Sequence, residues 1–322
     1  MWTPTRLSPL DEFASAFIAD IDDHTQVRSE ALASAVRSRY DLPPFPGIDD
    51  LRVLCGALGI PLWNLPAAVP ETWGTNFAYG DEVHIGVQSG LRLQAQESTI
   101  VHEIREALEN AFHRVKPAYV PLSTHDNRQM NGVSDRFAGY MLMETDASRA
   151  LLRELGFDFA EFARRTGRSL PAVLLRLQQL FPASAGSTPV IGTWLFDADW
   201  PRVESRQAQL TDLEARYAAK LHGFTQRKGK MTGQVFPRIG SRLADFSVLR
   251  EAVRRERPCS ATITGMGLLP DTDYLVLAEP ILPRGVPWRM LVTAVRLDGV
   301  PDIAPLLARL RPDDLGERPQ GL

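Results

Sequence analysis

Cysteine is nearly absent: Cys55 and Cys259 are the only two in 322 residues. That excludes a disulfide framework and a zinc cage made of thiolates. Long hydrophobic runs are missing as well, since no stretch approaches the roughly 18 apolar residues that a membrane helix requires. Neither sign of charge is in excess. With 36 Lys+Arg against 39 Asp+Glu the formal net charge is −3, which argues against a protein that coats a polyanion and leaves only a local basic patch open. The opening residues, MWTPTRLSPLDEF, contain no apolar leader, so a soluble cytoplasmic protein with no membrane partner is expected. No internal repeat occurs, and no low-complexity tract runs beyond a few residues.

What is present is an ordinary globular composition, 44% hydrophobic and 23% charged. At roughly 150 residues per domain, the length suggests two domains or three small ones. Phe13, Phe17 and Ile21, then Ala31, Leu32 and Val36, mark two opening helices between Leu10 and Tyr40. A short helix over Ile48 to Leu58 stops at Gly59, and Val83 to Val87 reads as a strand. Ile100, Ile104, Leu108 and Ala111 set a long helix from about Gln94 to Val115, and another begins near Asn131. Two short helices flank Thr166-Gly-Arg-Ser169, with Ser169 a candidate N-cap, in the manner of a helix-turn-helix. The Pro, Gly and Ser cluster at 181–189 marks the main boundary. Beyond it, strands at Gly192 to Phe196, Asp273 to Ala278 and Trp288 to Val295 alternate with helices at 203–221 and 247–255, which predicts an α/β or α+β domain. A last helix near 301–310 precedes a polar tail.

The sharpest chemical signal is His102-Glu103-Ile-Arg-Glu106 on the long helix. Residues i and i+4 share a helical face, so His102 and Glu106 can reach one point, and both side chains are acceptable zinc ligands. Glu103 between them suits a general base on a metal-bound water. A His and a Glu at this spacing also form an ordinary solvated helix pair, and that reading stays open. Glu97 and Glu109 read as surface charges. Arg164, Arg165, Arg168 and Arg176 gather at the helix-turn-helix against Asp158 and Glu161. Arginines there can meet phosphates and guanine edges, or they can simply solvate an αα-hairpin. The basic, glycine-rich stretch at 222–242 reads as an exposed loop, with nucleic-acid contact as its alternative.

Three stretches together resemble the ImmA/IrrE family of zinc-dependent metallopeptidases. Ala33 to Tyr40, Leu42-Pro-Pro44 and Leu51 to Ile60 are similar to the family's opening helices and their LGI ending. Val83 to Val87 with Glu97 to Glu106 resembles its strand and metal-site helix, and Ser134 to Met143 resembles its A-[ND]-x-F-A segment. The layout beyond resembles the IrrE branch, the radiation- and stress-response regulators. The fold this implies is α+β: a helical zincin-like metallopeptidase domain over 1–155, a helix-turn-helix over 156–182, a GAF-like α/β sensor domain over 190–310, and a loose tail over 311–322.

The resemblance implies that His102 binds zinc, that Glu103 is the catalytic base, and that Glu106 stands where the family has its second histidine. Asn131 occupies the third-ligand position, with Asp135 one turn further on as a substitute. A carboxylate for an imidazole makes the site richer in oxygen, favouring Mn or Mg over Zn relative to the parent. The implied function is a regulatory protease that cleaves a transcriptional repressor of the XRE type. DNA contact through Arg164, Arg165 and Arg168, and a small-molecule signal at the GAF-like domain, go with it. The competing reading is a non-catalytic pseudo-peptidase that keeps the scaffold and binds DNA, protein or ligand. A pure small-molecule sensor is the third.

Overall fold

A computed structural model of the chain describes residues 7–19, 21, 27–66, 73–79, 82–119, 127–180, 191–198, 224–226, 248, 251–252, 255, 258–264, 273–281 and 289–296. The chain divides into two compact units. One comprises Met1–Arg149 with Arg164–Ser169, the other Ala150–Ala163 with Leu170–Leu322.

The first unit opens with α1 (Pro9–Ile18), α2 (Ser29–Arg39) and α3 (Ile48–Ala57). The Ser8 hydroxyl accepts the Asp11 N–H at 3.1 Å, and Pro9 occupies the first turn, where its missing N–H costs nothing. Gly59, at φ +68°, turns the chain out of α3 in the left-handed region that a side chain would resist. There follow β1 (Leu62–Leu65), β2 (Gly74–Tyr79), β3 (Glu82–Gln88), α4 (Leu93–Val115) and α5 (Asn127–Leu142). α6 (Thr145–Glu154) runs across the division between the units.

α4 is the axis of this unit. Ile100, Val101, Ile104, Ala107, Leu108, Ala111 and Phe112 are buried along it, in one cluster with Leu32, Leu51, Leu54, Ile85, Phe137 and Met141. Burial of this stripe, rather than helix propensity, holds a helix of that length in place. The sheet order is β1-β3-β2, with β1 parallel and β2 antiparallel to β3. Because side chains alternate, Ile85 and Val87 enter the core while Glu82, His84 and Gly86 share the opposite face. Asn76 is paired with Ile85 and so belongs to the core-side set. Gly74 brings the strand onto α4, since a Cβ there would lie 2.2 Å from Thr99 Cγ2.

In the second unit β4 (Ile191–Ala198), β5 (Phe224–Gln226), β6 (Cys259–Thr264), β7 (Asp273–Ile281) and β8 (Arg289–Arg296) form a sheet of order β5-β4-β8-β7-β6. Every described pairing in it is antiparallel, so among the described residues it lacks the parallel βαβ units of an α/β domain, and the α+β alternative fits it. Leu275 to Ala278 and Leu291 to Ala294 are buried at its centre.

The turn expected at Thr166 to Ser169 separates α7 (Phe159–Thr166) from α8 (Leu170–Leu180), with Gly167 at φ +69°. The expected helix at 247–255 is described at Val248, Glu251, Ala252 and Arg255. The helices at 203–221 and 301–310, the tail, and all of 222–242 except 224–226 lie outside the described residues. Among the described helices none is long and apolar enough to cross a membrane. The chain is a mixed α+β protein.

Candidate functional site

α4 lays His102, Glu103 and Glu106 along one edge of the helix. β2 adds Asn76 from one side and α5 adds Asp135 from the other. His102 Nε2 lies 3.2 Å from Glu106 Oε1, and His102 Nδ1 lies 3.6 Å from Asp135 Oδ1. The Asn76 side-chain amide donates one N–H to Glu103 Oε2 and one to Glu106 Oε2, each at 3.0 Å. Both facing groups are carboxylates, which accept only, so the amide nitrogen is the end turned toward them.

The electrostatics follow from these contacts. Burial alone would lower the His102 pKa, but hydrogen bonds to Asp135 and Glu106 and the nearby carboxylate charges outweigh it and push it up to about 9. That direction favours the charged imidazolium, whose two nitrogens each face a carboxylate. Glu106 is held below its ordinary range by the His102 hydrogen bond first, against burial. Glu103, only 6% exposed, is moved the other way, raised by burial and by the Glu106 charge against the Asn76 hydrogen bond.

Zinc requires lone pairs that converge on one point at about 2.0–2.2 Å. The contacts here diverge: Glu106 meets one nitrogen of the ring and Asp135 the other, on its far edge. Asn76 points donors, not an acceptor, at the carboxylates, and Asn131 stands exposed on α5. Among the described residues no group of three His, Cys, Asp or Glu side chains could hold a metal ion. As arranged, these residues do not fit Zn or Mn.

The residues expected to meet nucleic acid are split. Arg164 and Arg165 are exposed near the end of α7. Arg168 is buried, and its guanidinium donates to the Glu97 carboxylate and to the Pro46 carbonyl. Arg176 is buried on α8 and donates to Gln179 Oε1 at 2.8 Å. The charge of Arg168 is thus met inside the first unit. Glu97 is 4% exposed and Glu109 1%, which corrects their reading as surface charges. Both are tolerated inside because each has a guanidinium, Arg168 for Glu97 and Arg105 for Glu109. The Tyr119 hydroxyl also donates to Glu109 at 2.6 Å.

Asn76 is the site residue that sequence reasoning missed. Its strand is written as Gly-Thr-Asn-Phe-Ala-Tyr, followed by Gly80-Asp81 and the strand already expected at Val83. A hairpin signal was therefore present.

No protein-family model matches the chain, and no curated protein matches it. Its fold is similar to that of a solved Mycobacterium tuberculosis chain described as a transcriptional regulator. The two superpose with a TM-score of 0.52 at 15% identity, over 90% of this chain and 81% of that one. At that identity the likeness is one of fold.

Proposed function

We propose that the chain is a non-catalytic regulator of transcription that keeps a peptidase-like scaffold. The observation that carries this reading is the closure of the polar cluster on itself. His102 spends both ring nitrogens on carboxylates, and Asn76 ties Glu103 to Glu106. These contacts cross-link β2, α4 and α5 and turn both ring nitrogens toward carboxylates rather than toward a shared metal position. The regulatory part rests on the fold shared with a chain described as a transcriptional regulator.

A second reading, the metal-dependent protease that cuts an XRE-type repressor, is favoured by one feature. Glu103 is a buried carboxyl whose pKa burial raises, as a general base would need. Replacement of Glu103 by Gln separates the two. A host strain carrying Glu103→Gln should show the wild-type transcript response if the chain acts by binding. A response matching deletion of the whole chain, with the variant protein folded and at normal abundance, would instead establish the protease.

A further inference from the structure

The outer face of the β1-β3-β2 sheet carries more exposed aromatic surface than a soluble face normally leaves uncovered. Trp63 is 55% exposed, Phe77 38% and Tyr79 76%. Trp73, 60% exposed, continues the β2 register, its carbonyl accepting the Gln88 N–H at 2.9 Å, so alternation sets it on the same face as Phe77 and Tyr79.

These rings are not loose. His84 is buried beneath them and organises three of the four. Phe77 stacks on it at 5.5 Å, Tyr79 meets it edge-on at 5.8 Å, and Trp63 leans over it at 5.9 Å. The Trp63 indole N–H donates to His84 Nδ1 at 2.8 Å, which fixes the orientation of an otherwise solvent-facing ring. Indole is a donor only, so Nδ1 is the accepting nitrogen and Nε2 the one left to donate. That atom is buried with no hydrogen-bond partner among the described residues, and the Glu82 carboxylate stands 3.5 Å away.

Charge selects the occupant. Glu82, with a 68% exposed side chain, is the one carboxylate on the three strands, which among their described residues hold no Lys or Arg. Pre-oriented π faces beside a carboxylate attract a cation. A planar guanidinium satisfies both, lying flat on a ring while pairing with the carboxylate. A polyanion is disfavoured, because nothing cationic on these strands would meet its phosphates. Rings as exposed as Trp63, Trp73 and Tyr79 suit a polypeptide better than a small molecule, which needs enclosure.

We propose that this face docks a segment of a partner protein through an arginine that stacks on its exposed rings and pairs with Glu82. The inference is independent of the chemistry at His102.

The test uses the intact chain and a short capped peptide alternating Arg and Leu, with citrulline replacing Arg in a second peptide and oligothymidylate as a third probe. Binding is followed by NMR shifts of the indole N–H signals, with Trp63 assigned by Trp63→Phe. The Arg peptide should move the Trp63 signal, and the citrulline peptide should bind about fivefold more weakly or worse. Glu82→Gln and Tyr79→Ser should each weaken the Arg peptide about threefold or more. Both positions are exposed, so circular dichroism should be unchanged. Equal affinity for the citrulline peptide, unchanged affinity in both variants, or no binding would overturn the proposal. Binding of oligothymidylate in place of the peptide, or self-association lost in Tyr79→Ser, would also overturn it and give the face to nucleic acid or to a second copy.

Discussion

His102 shows how one ring can be either a ligand or a cross-link, according to what faces its two nitrogens. Here both face carboxylates, and the consequence is a pH window. Its folded pKa of about 9 stands above the ordinary value of 6.5, so its contribution to stability is complete below 6.5 and is lost as pH rises through about 9. Glu106 works in the opposite sense: its lowered pKa contributes stability above the ordinary 4.5 that disappears as pH falls. In urea unfolding, the stability gap between wild type and His102→Gln should therefore hold near pH 6 and shrink toward pH 9.5. A gap that stays flat over that range would refute the doubly paired imidazolium. Arg168 is the second decisive residue. Removing it strands the Glu97 carboxylate in the interior, so Arg168→Ala should cost about 3–5 kcal/mol of unfolding free energy. An exposed phosphate-binding arginine would cost almost nothing, and a chemical-denaturation curve distinguishes the two.

Among the elements, α4 was the most legible in the sequence, because its apolar residues recur at helical spacing over 23 residues. β3 and the α7–α8 turn were legible for similar local reasons, alternating β-branched residues in one and Gly167 in the other. β1 and β2 were missed. β1 is only four residues long, and β2 has its aromatic residues outward, so neither shows a hydrophobic inner face of its own. The site divided the same way. His102, Glu103 and Glu106 share one helix and could be found together, whereas Asn76 reaches them across 27 and 30 residues of chain. Nor could spacing show that Glu97 and Glu109 lie inside, since each depends on a partner placed by tertiary packing. β2 is held against α4 by the absence of a side chain at Gly74. Gly74→Ala should force Thr99 or the strand to move and destabilise the protein by about 1–3 kcal/mol. Thermal unfolding would measure the loss, and an unchanged midpoint would mean that the strand does not lie that close.

For the molecule as a whole, composition excluded a disulfide scaffold and argued against a polyanion coat, while the periodicities left α/β or α+β open for the second domain and the antiparallel pairings of its described strands fit α+β. The resemblance to a metallopeptidase family supplied a chemistry, and the function proposed above keeps its scaffold without it. The most direct measurement is metal content of the purified chain by elemental mass spectrometry, before and after incubation with excess Zn and Mn. The account predicts far less than one ion per chain under every condition, with no change in His102→Ala or Glu106→Ala. Near-stoichiometric Zn or Mn that both variants lose would contradict it and restore the metallopeptidase.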